Sequence, residues 1–279
     1  MQRRAKAFQR NVLVTLLCVF VCANPPELPG VDIVAHRGAS AEAPENTLPA
    51  FRLAWKQGAD AIEGDFFLSR DGQVVCIHDR STKKLADRDV DVSKSTLAEL
   101  RTLDVGKWKA ARWTGTRIPT IAEVLATVPT GKRIFIEIKS GPEILPALAR
   151  EIRASGRRDD QLVIISFNEK VIASAARQLP RLKRIWVSSF KQDRLTGSWS
   201  PTLDQLIATA KRVHADGVDV QAVDEVVNAA LVDAVHAAGL EFHVWTVNDP
   251  AQARRLSAMH VDSITTDRPQ LIRETLGKN

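Results

Sequence analysis

Cysteine is scarce in this chain: of three, Cys18 and Cys22 fall within the first two dozen residues and Cys76 stands alone. A solitary thiol has no intramolecular partner, so a disulfide framework is excluded, and Cys76, on an alternating strand pattern, reads as a small buried hydrophobe. No segment repeats at a period of roughly 20 to 50 residues, and no low-complexity tract appears, which removes solenoids and propellers. A Gly-rich dinucleotide fingerprint after an early strand is also missing. Basic clusters such as "KRI" and "GRR" are dispersed and carry no interleaved aromatics. They read as solvated faces, so no nucleic-acid partner is expected.

Long hydrophobic runs are lacking too. The one candidate, "NVLVTLLCVFVCA", is shorter than the roughly 20 residues a spanning helix needs, and it follows "MQRRAKAFQR", which holds four bases and no acid. Basic start, short apolar run and small residues at Val21 and Ala23 predict an export signal over residues 1–23, ahead of a mature domain over 24–279. A cleaved signal is preferred to a retained anchor. Neither Cys18 nor Cys22 follows the small residue that lipid attachment wants. The signal takes four of the 39 Lys and Arg and none of the 33 acids, so the net charge falls from +6 to +2 without it.

What is present is one large core and a rhythm. With 279 residues, 44% of them hydrophobic and 26% charged, the chain can bury a single-domain core. Apolar, β-branched runs recur at "DIVAHRG", "AIEGDFFLS", "RIFIEIKS", "QLVIISFN", "KRIWVSSF", "DGVDVQ", "EFHVWTVN" and "DSITTDRP". Amphipathic stretches of helical length lie between most of them, and Gly58, Gly156 and Gly239 close three. Eight strands alternating with helices predict an α/β fold, a closed (β/α)8 TIM-type barrel. The rhythm breaks once, from Val74 to Pro119, a polar and irregular stretch read as an insertion after the second strand, over one rim.

Barrel chemistry sits at the carboxyl ends of the strands. His36 and Arg37 end the first. Glu63 and Asp65 are two apart on the second, so both point to one face, roughly 7 Å apart along the backbone. Two inward carboxylates repel unless a cation lies between them. Glu137 and Lys139 repeat the spacing on the next barrel strand and add a third acid. Three carboxylates without a Cys or His cluster suit one hard divalent metal, Ca²⁺ or Mg²⁺. His243 shares a strand face with Trp245, whereas His214, His236 and His260 fall in or beside helices. Trp108, Trp113 and Trp199 lie in predicted loops, placed either to cover the site or to touch lipid.

The ordered stretch "HRGASAEAPENTLPAFRLAWKQGADAIEGDFFLSRDGQVVCIHD" resembles the opening of the glycerophosphodiester phosphodiesterase family. The likeness continues through "RIPTIAEVL", "IFIEIK", "VWTVN" and "SITTDRP", from Asp32 to about Arg268. The resemblance implies a (β/α)8 barrel that hydrolyses glycerophosphodiesters such as glycerophosphocholine to glycerol 3-phosphate and an alcohol. It also implies that Glu63, Asp65 and Glu137 bind the metal and that His36 and His78 act as acid and base. Arg37 and Lys139 would hold phosphate, and Trp245 would pack on glycerol. The expected partner is a small-molecule substrate, with no stable protein partner implied and transient membrane contact left open. Two alternatives stand beside it: a phospholipase D-like activity on lysophospholipids or sphingolipids, and a non-catalytic ligand-binding barrel.

Overall fold

Each run of alternating or continuous apolar residues forms a strand in the computed structural model, which describes residues 30–277. The predicted leader, residues 1–23, lies outside the described residues. The strands are β1 (Asp32–Ala35), β2 (Ala61–Leu68), β3 (Val74–Cys76), β4 (Arg133–Ile138), β5 (Leu162–Ser166), β6 (Lys183–Ser188), β7 (Lys191–Gln192), β8 (Trp199–Ser200), β9 (Gly217–Gln221), β10 (Glu241–Trp245) and β11 (Ser263–Thr266). β7 and β8 pair only with each other, and β3 runs antiparallel on β2. The remaining eight are parallel in the order β1-β2-β4-β5-β6-β9-β10-β11, and β11 returns to β1. The expected TIM barrel is therefore what the chain adopts.

The helices α1 (Leu48–Lys56), α2 (Leu97–Leu100), α3 (Ile121–Thr127), α4 (Leu145–Ser155), α5 (Glu169–Gln178), α6 (Leu203–Arg212), α7 (Ala229–Ala237), α8 (Pro250–Ser257) and α9 (Pro269–Leu276) follow local signals. Thr120 with Glu123 and Thr202 with Gln205 form capping boxes at α3 and α6, satisfying backbone N–H groups that a helix start leaves free. Gly156 ends α4 in the left-handed region, φ 64°, where a Cβ would be strained. Among the described residues no helix is long and apolar enough to cross a membrane.

Period-two alternation decides what enters the lumen. Val34, Ala61, Phe135, Val163, Ile165, Ile185 and Val187 pack there as one cluster, with Trp245 against it. The outward residues Ile62, Phe66, Ile134 and Ile136 pack beneath α1, α3 and α4. Burying a side chain of this size contributes about 1.5–3 kcal/mol, and Phe135→Ala would cost about 3–5 kcal/mol. The lumen is thus a plug, and the acids at 63, 65 and 137 stand above it.

The insertion from 74 to 119 differs from its polar, irregular reading. Val75, Ile77, Leu85, Val92, Leu100, Leu103, Val105 and Ile118 form a core of their own beside the barrel. These apolar residues are spaced without a helical or strand period, because turns and short helices carry them. The segment is anchored where Ile77 N–H donates to Asp65 O at 2.9 Å and Cys76 N–H to Pro119 O at 2.9 Å.

Candidate active site

Backbone shape at the end of β1 builds the first part of the site. Gly38 has φ 81°, and a Cβ there would sit 2.6 Å from the carbonyl carbon of Ala50, so only glycine lets α1 approach this closely. Arg37 before it also takes a positive φ, 56°. That turn aims the Arg37 N–H at Glu63 Oε2, 2.8 Å, while the guanidinium bonds Glu45 Oε1 at 3.1 Å and lies 3.2 Å from Asp65. Burial works against the Arg37 cation, but Asp65, Glu45 and Glu63 outweigh it and raise its pKa.

Glu63, Asp65 and Glu137 converge as their spacing requires, each offering an oxygen within 4.8 Å of the others. All three are buried. Asn46, also at positive φ, donates to Asp65 Oδ2 at 2.8 Å and accepts the Asp65 N–H at 3.0 Å. Lys139 donates to Glu137 Oε1 at 2.8 Å and lies 3.4 Å from Asp65. Desolvation opposes the Asp65 anion, yet Lys139, Arg37 and His78 hold its pKa below the ordinary range. Glu63 goes the other way: burial first, then the charges of Asp65 and Glu137, push its pKa well up. Burial and Asp65 raise Glu137 likewise, against the pull of Lys139.

The donor set fits a divalent metal. Glu63 Oε1 is buried with no hydrogen-bond partner, a state that costs about 1–3 kcal/mol for a neutral polar atom and more for a charged one. A cation among three hard oxygen donors relieves both the orphaned atom and the mutual repulsion.

Two histidines face this cluster, each with a carboxylate behind it. His36 Nδ1 lies 2.7 Å from Asp267 Oδ1, and Asp267 also accepts from Ser40 at 2.9 Å and Asn248 at 2.6 Å. Burial disfavours that anion, but the bonds and charge of His36, with help from Asn248 and Ser40, hold Asp267 at about 2. His78 Nδ1 lies 2.7 Å from Asp79 Oδ1, and Lys84 holds the other oxygen of Asp79 at 2.7 Å. Desolvation lowers the pKa of His78, against the charge of Asp65 and the bond to Asp79. A carboxylate accepts only, so it fixes a proton on Nδ1 and leaves Nε2 for proton exchange.

A cavity of about 130 Å³ joins these parts, lined by His36, Arg37, Glu63, His78, Glu137 and Lys139 on one side. Phe167, Trp245 and Asp219 line the other. Trp245 meets Phe167 edge to face, ring centres 5.6 Å apart, and its indole N–H donates to the Asp219 carbonyl at 3.2 Å. All eight sequence-predicted residues are thus brought together, Asp65 from just behind the wall. His243 is not among them: it is buried a layer deeper, bonded to Ser263 at 2.7 Å and stacked edge-on against Phe135. The inward face continues below the site, so sharing a face with Trp245 did not mean sharing the cavity.

A second groove of about 210 Å³ meets the first at Arg37 and His78 and runs out past Glu45, Asp79, Lys84, Leu85 and Trp108. Trp108 is 44% exposed at its edge. Trp113 stacks under Arg112, and Trp199 packs half-buried against the barrel's far side. Sequence reasoning missed Asn46, Asp79, Asp219 and Asp267. "VDV" within a buried strand places an acid inward by the same alternation that reveals "EGD", so Asp219 had a signal. Asn46 and Asp267 had none.

A parallel barrel with acids, cations and two backed imidazoles around one pocket at its carboxyl mouth defines a barrel hydrolase of phosphate esters. The comparisons place it more narrowly. Residues 36–271 match the glycerophosphoryl diester phosphodiesterase family, and the chain belongs to that family. It is 30% identical over 246 residues to a glycerophosphodiester phosphodiesterase of Caldanaerobacter subterraneus subsp. tengcongensis, covering 86% of this chain and 95% of that one. A solved phosphodiesterase from Oleispira antarctica, in complex with the product sn-glycerol-3-phosphate, is similar with a TM-score of 0.78 and 27% identity. That match covers 88% of this chain and 97% of the other. A glycerophosphodiester phosphodiesterase from Agrobacterium tumefaciens is similar with a TM-score of 0.74 and 28% identity, covering 88% and 99%. The chain is a phosphodiester hydrolase of this family.

Proposed function

We propose that this enzyme hydrolyses glycerophosphodiesters of the glycerophosphocholine type to glycerol 3-phosphate and an alcohol, with Mg²⁺ or Ca²⁺ held by Glu63, Asp65 and Glu137. The observation that carries the reading is the three-acid set beside two cations and two carboxylate-backed histidines, all on one cavity. The small inner cavity, walled by Phe167 and Trp245, suits a three-carbon polyol better than an acyl chain. The glycerol phosphate half therefore sits inside, and the leaving alcohol points along the outer groove past Trp108.

The residues divide the work by charge. Arg37 and Lys139 face the phosphoryl oxygens and stabilise the negative charge that grows on them as phosphorus is attacked. The bound metal would supply further charge neutralisation there and lower the pKa of a coordinated hydroxyl. One imidazole takes the proton of the attacking hydroxyl and the other protonates the departing alkoxide, each contributing about 10²- to 10⁴-fold. Asp267 and Asp79 keep each Nε2 aimed inward and stabilise the imidazolium that forms.

The test is direct: purified protein with glycerophosphocholine, assayed for glycerol 3-phosphate with Mg²⁺, with Ca²⁺ and after chelation. Release with metal and none after chelation is expected; no release with either ion overturns the reading. We propose also that residues 1–23 direct export, supported by their basic start and short apolar run. N-terminal sequencing of protein from the exported fraction should then begin at Asn24, and a chain that keeps residues 1–23 would refute cleavage.

A further inference from the structure

The mechanism above uses every charged group on the cavity wall except one. Asp219, on β9, lies opposite β2 in the eight-strand ring, so it faces the acids and histidines across the pocket. It is 3% exposed, and its Oδ1 is buried without a hydrogen-bond partner. Its neighbours are Val187 in register on β6, with Trp245 and Phe167 beside them on the wall, and His243 in register on β10, which is itself bonded to Ser263. No ion pair offsets its burial, which pushes the carboxyl up to about 7 although His243 draws it down. A metal role does not explain it, because among the described residues the oxygens close enough to share an ion belong to Glu63, Asp65 and Glu137.

An unpaired carboxyl kept buried in the wall is costly, and a ligand that bonds it removes the cost. On the proposed reading the phosphate lies against Arg37 and Lys139 on the facing wall, so the group that reaches Asp219 is the other end of a small ligand in the same cavity. A hydroxyl suits a carboxyl there, since it both donates and accepts. We propose that Asp219 is the specificity residue for the polyol half of the substrate, bonding a free glycerol hydroxyl across the cavity from the phosphate. This rests on the glycerophosphodiesterase reading and names what selects glycerol within it. Trp245 supports the placement, because its indole N–H bonds the backbone carbonyl of Asp219 at 3.2 Å and so sets the ring beside that residue on the same wall.

Calorimetric titration of the Mg²⁺-loaded full-length protein with sn-glycerol 3-phosphate and with n-propyl phosphate, which lacks the hydroxyls, tests this. The parent should prefer glycerol 3-phosphate by roughly ten- to a hundredfold. Asp219→Leu should lose that preference while its Kd for propyl phosphate stays unchanged, and it should melt no lower than the parent, since it removes an unpaired buried acid. Should Asp219→Leu not fold, the smaller Asp219→Ala carries the same comparison, with propyl phosphate binding kept and preference lost. An intact preference in the variant that folds overturns the proposal, as does equal weakening of both ligands, which marks a structural role. A parent that binds neither phosphate overturns the functional reading and this proposal together; a parent that discriminates beside a variant that does so equally overturns this proposal alone.

Discussion

The two ends of the barrel are both crowded with charge, and they handle it oppositely. At the amino-terminal floor, each of these acids lies against a base: Asp32 with Arg133, Glu241 with Lys183, Asp60 with both Lys132 and Arg273, and Asp262 with His236 at 2.9 Å. His243, buried among them, bonds Ser263 and lies 3.2 Å from Glu241. At the carboxyl mouth, three acids crowd within 4.8 Å, and Glu63 Oε1 and Asp219 Oδ1 have no partner. The floor is electrostatically finished by the chain itself. The mouth is finished only when something else binds, and that incompleteness marks the working end.

The largest test of this contrast removes one acid from each end. Glu63→Gln should lower kcat/KM by about 10³-fold, as losing about 4 kcal/mol of metal-borne charge stabilisation would. Metal-free, that variant should melt no lower than the parent, because it relieves a repulsion. Glu241→Gln should do the reverse: activity near parental at a temperature where it is folded, and a lower Tm from about 1–3 kcal/mol of broken pairing. Steady-state kinetics and thermal melts on both variants decide it. Equal activity losses would erase the distinction between the ends.

A step smaller, His36→Ala and His78→Ala should each cost about 10²- to 10⁴-fold in kcat with stability little changed. His243→Ala, at the floor, should leave kcat alone and cost stability through the lost packing on Phe135. A large kcat loss at His243 would move the boundary of the site downward.

The barrel was legible because each of its eight strands is a short apolar run bounded by helix signals, a pattern that needs no tertiary partner. The acid set was legible for a related reason: i, i+2 spacing fixes side-chain direction within one strand, so Glu63 with Asp65, and Glu137 with Lys139, announce a common face. What escaped depends on partners far along the chain. Asp267 meets His36 across 231 positions, and nothing near "TTDRP" says which imidazole it backs. Asn46 is a turn residue by sequence and becomes the clamp on Asp65 only when β2 closes on β1. The insertion's core was hidden because its apolar residues follow no period.

The smallest effect is a dependence of Tm on pH, in which the raised acids all lie at the mouth while lowered ones lie at both ends. Glu241 at the floor is held at about 2: burial opposes its charge, but His243 and Lys183 prevail. Its pKa therefore lies below the unfolded value near 4.3, so its stabilisation is fully present above that value and is lost as pH falls from about 4 to about 2. Glu63 and Glu137 at the mouth have raised pKa values, and burial lifts Asp219 to about 7. For a raised acid the unfolded chain ionises first, so the metal-free fold loses stability as pH climbs from about 4 toward 7. Tm of the chelated protein should thus fall on both sides of a maximum near pH 4 to 5. Mg²⁺ should restore the neutral side by taking the place of the protons, and leave the acid side unmoved. Glu63→Gln should make the neutral side shallower, with Glu137 and Asp219 keeping the rest, and Glu241→Gln should make the acid side shallower, with Asp267 keeping the rest. A metal-free Tm that rises steadily to pH 7 would mean that the mouth is as well paired as the floor.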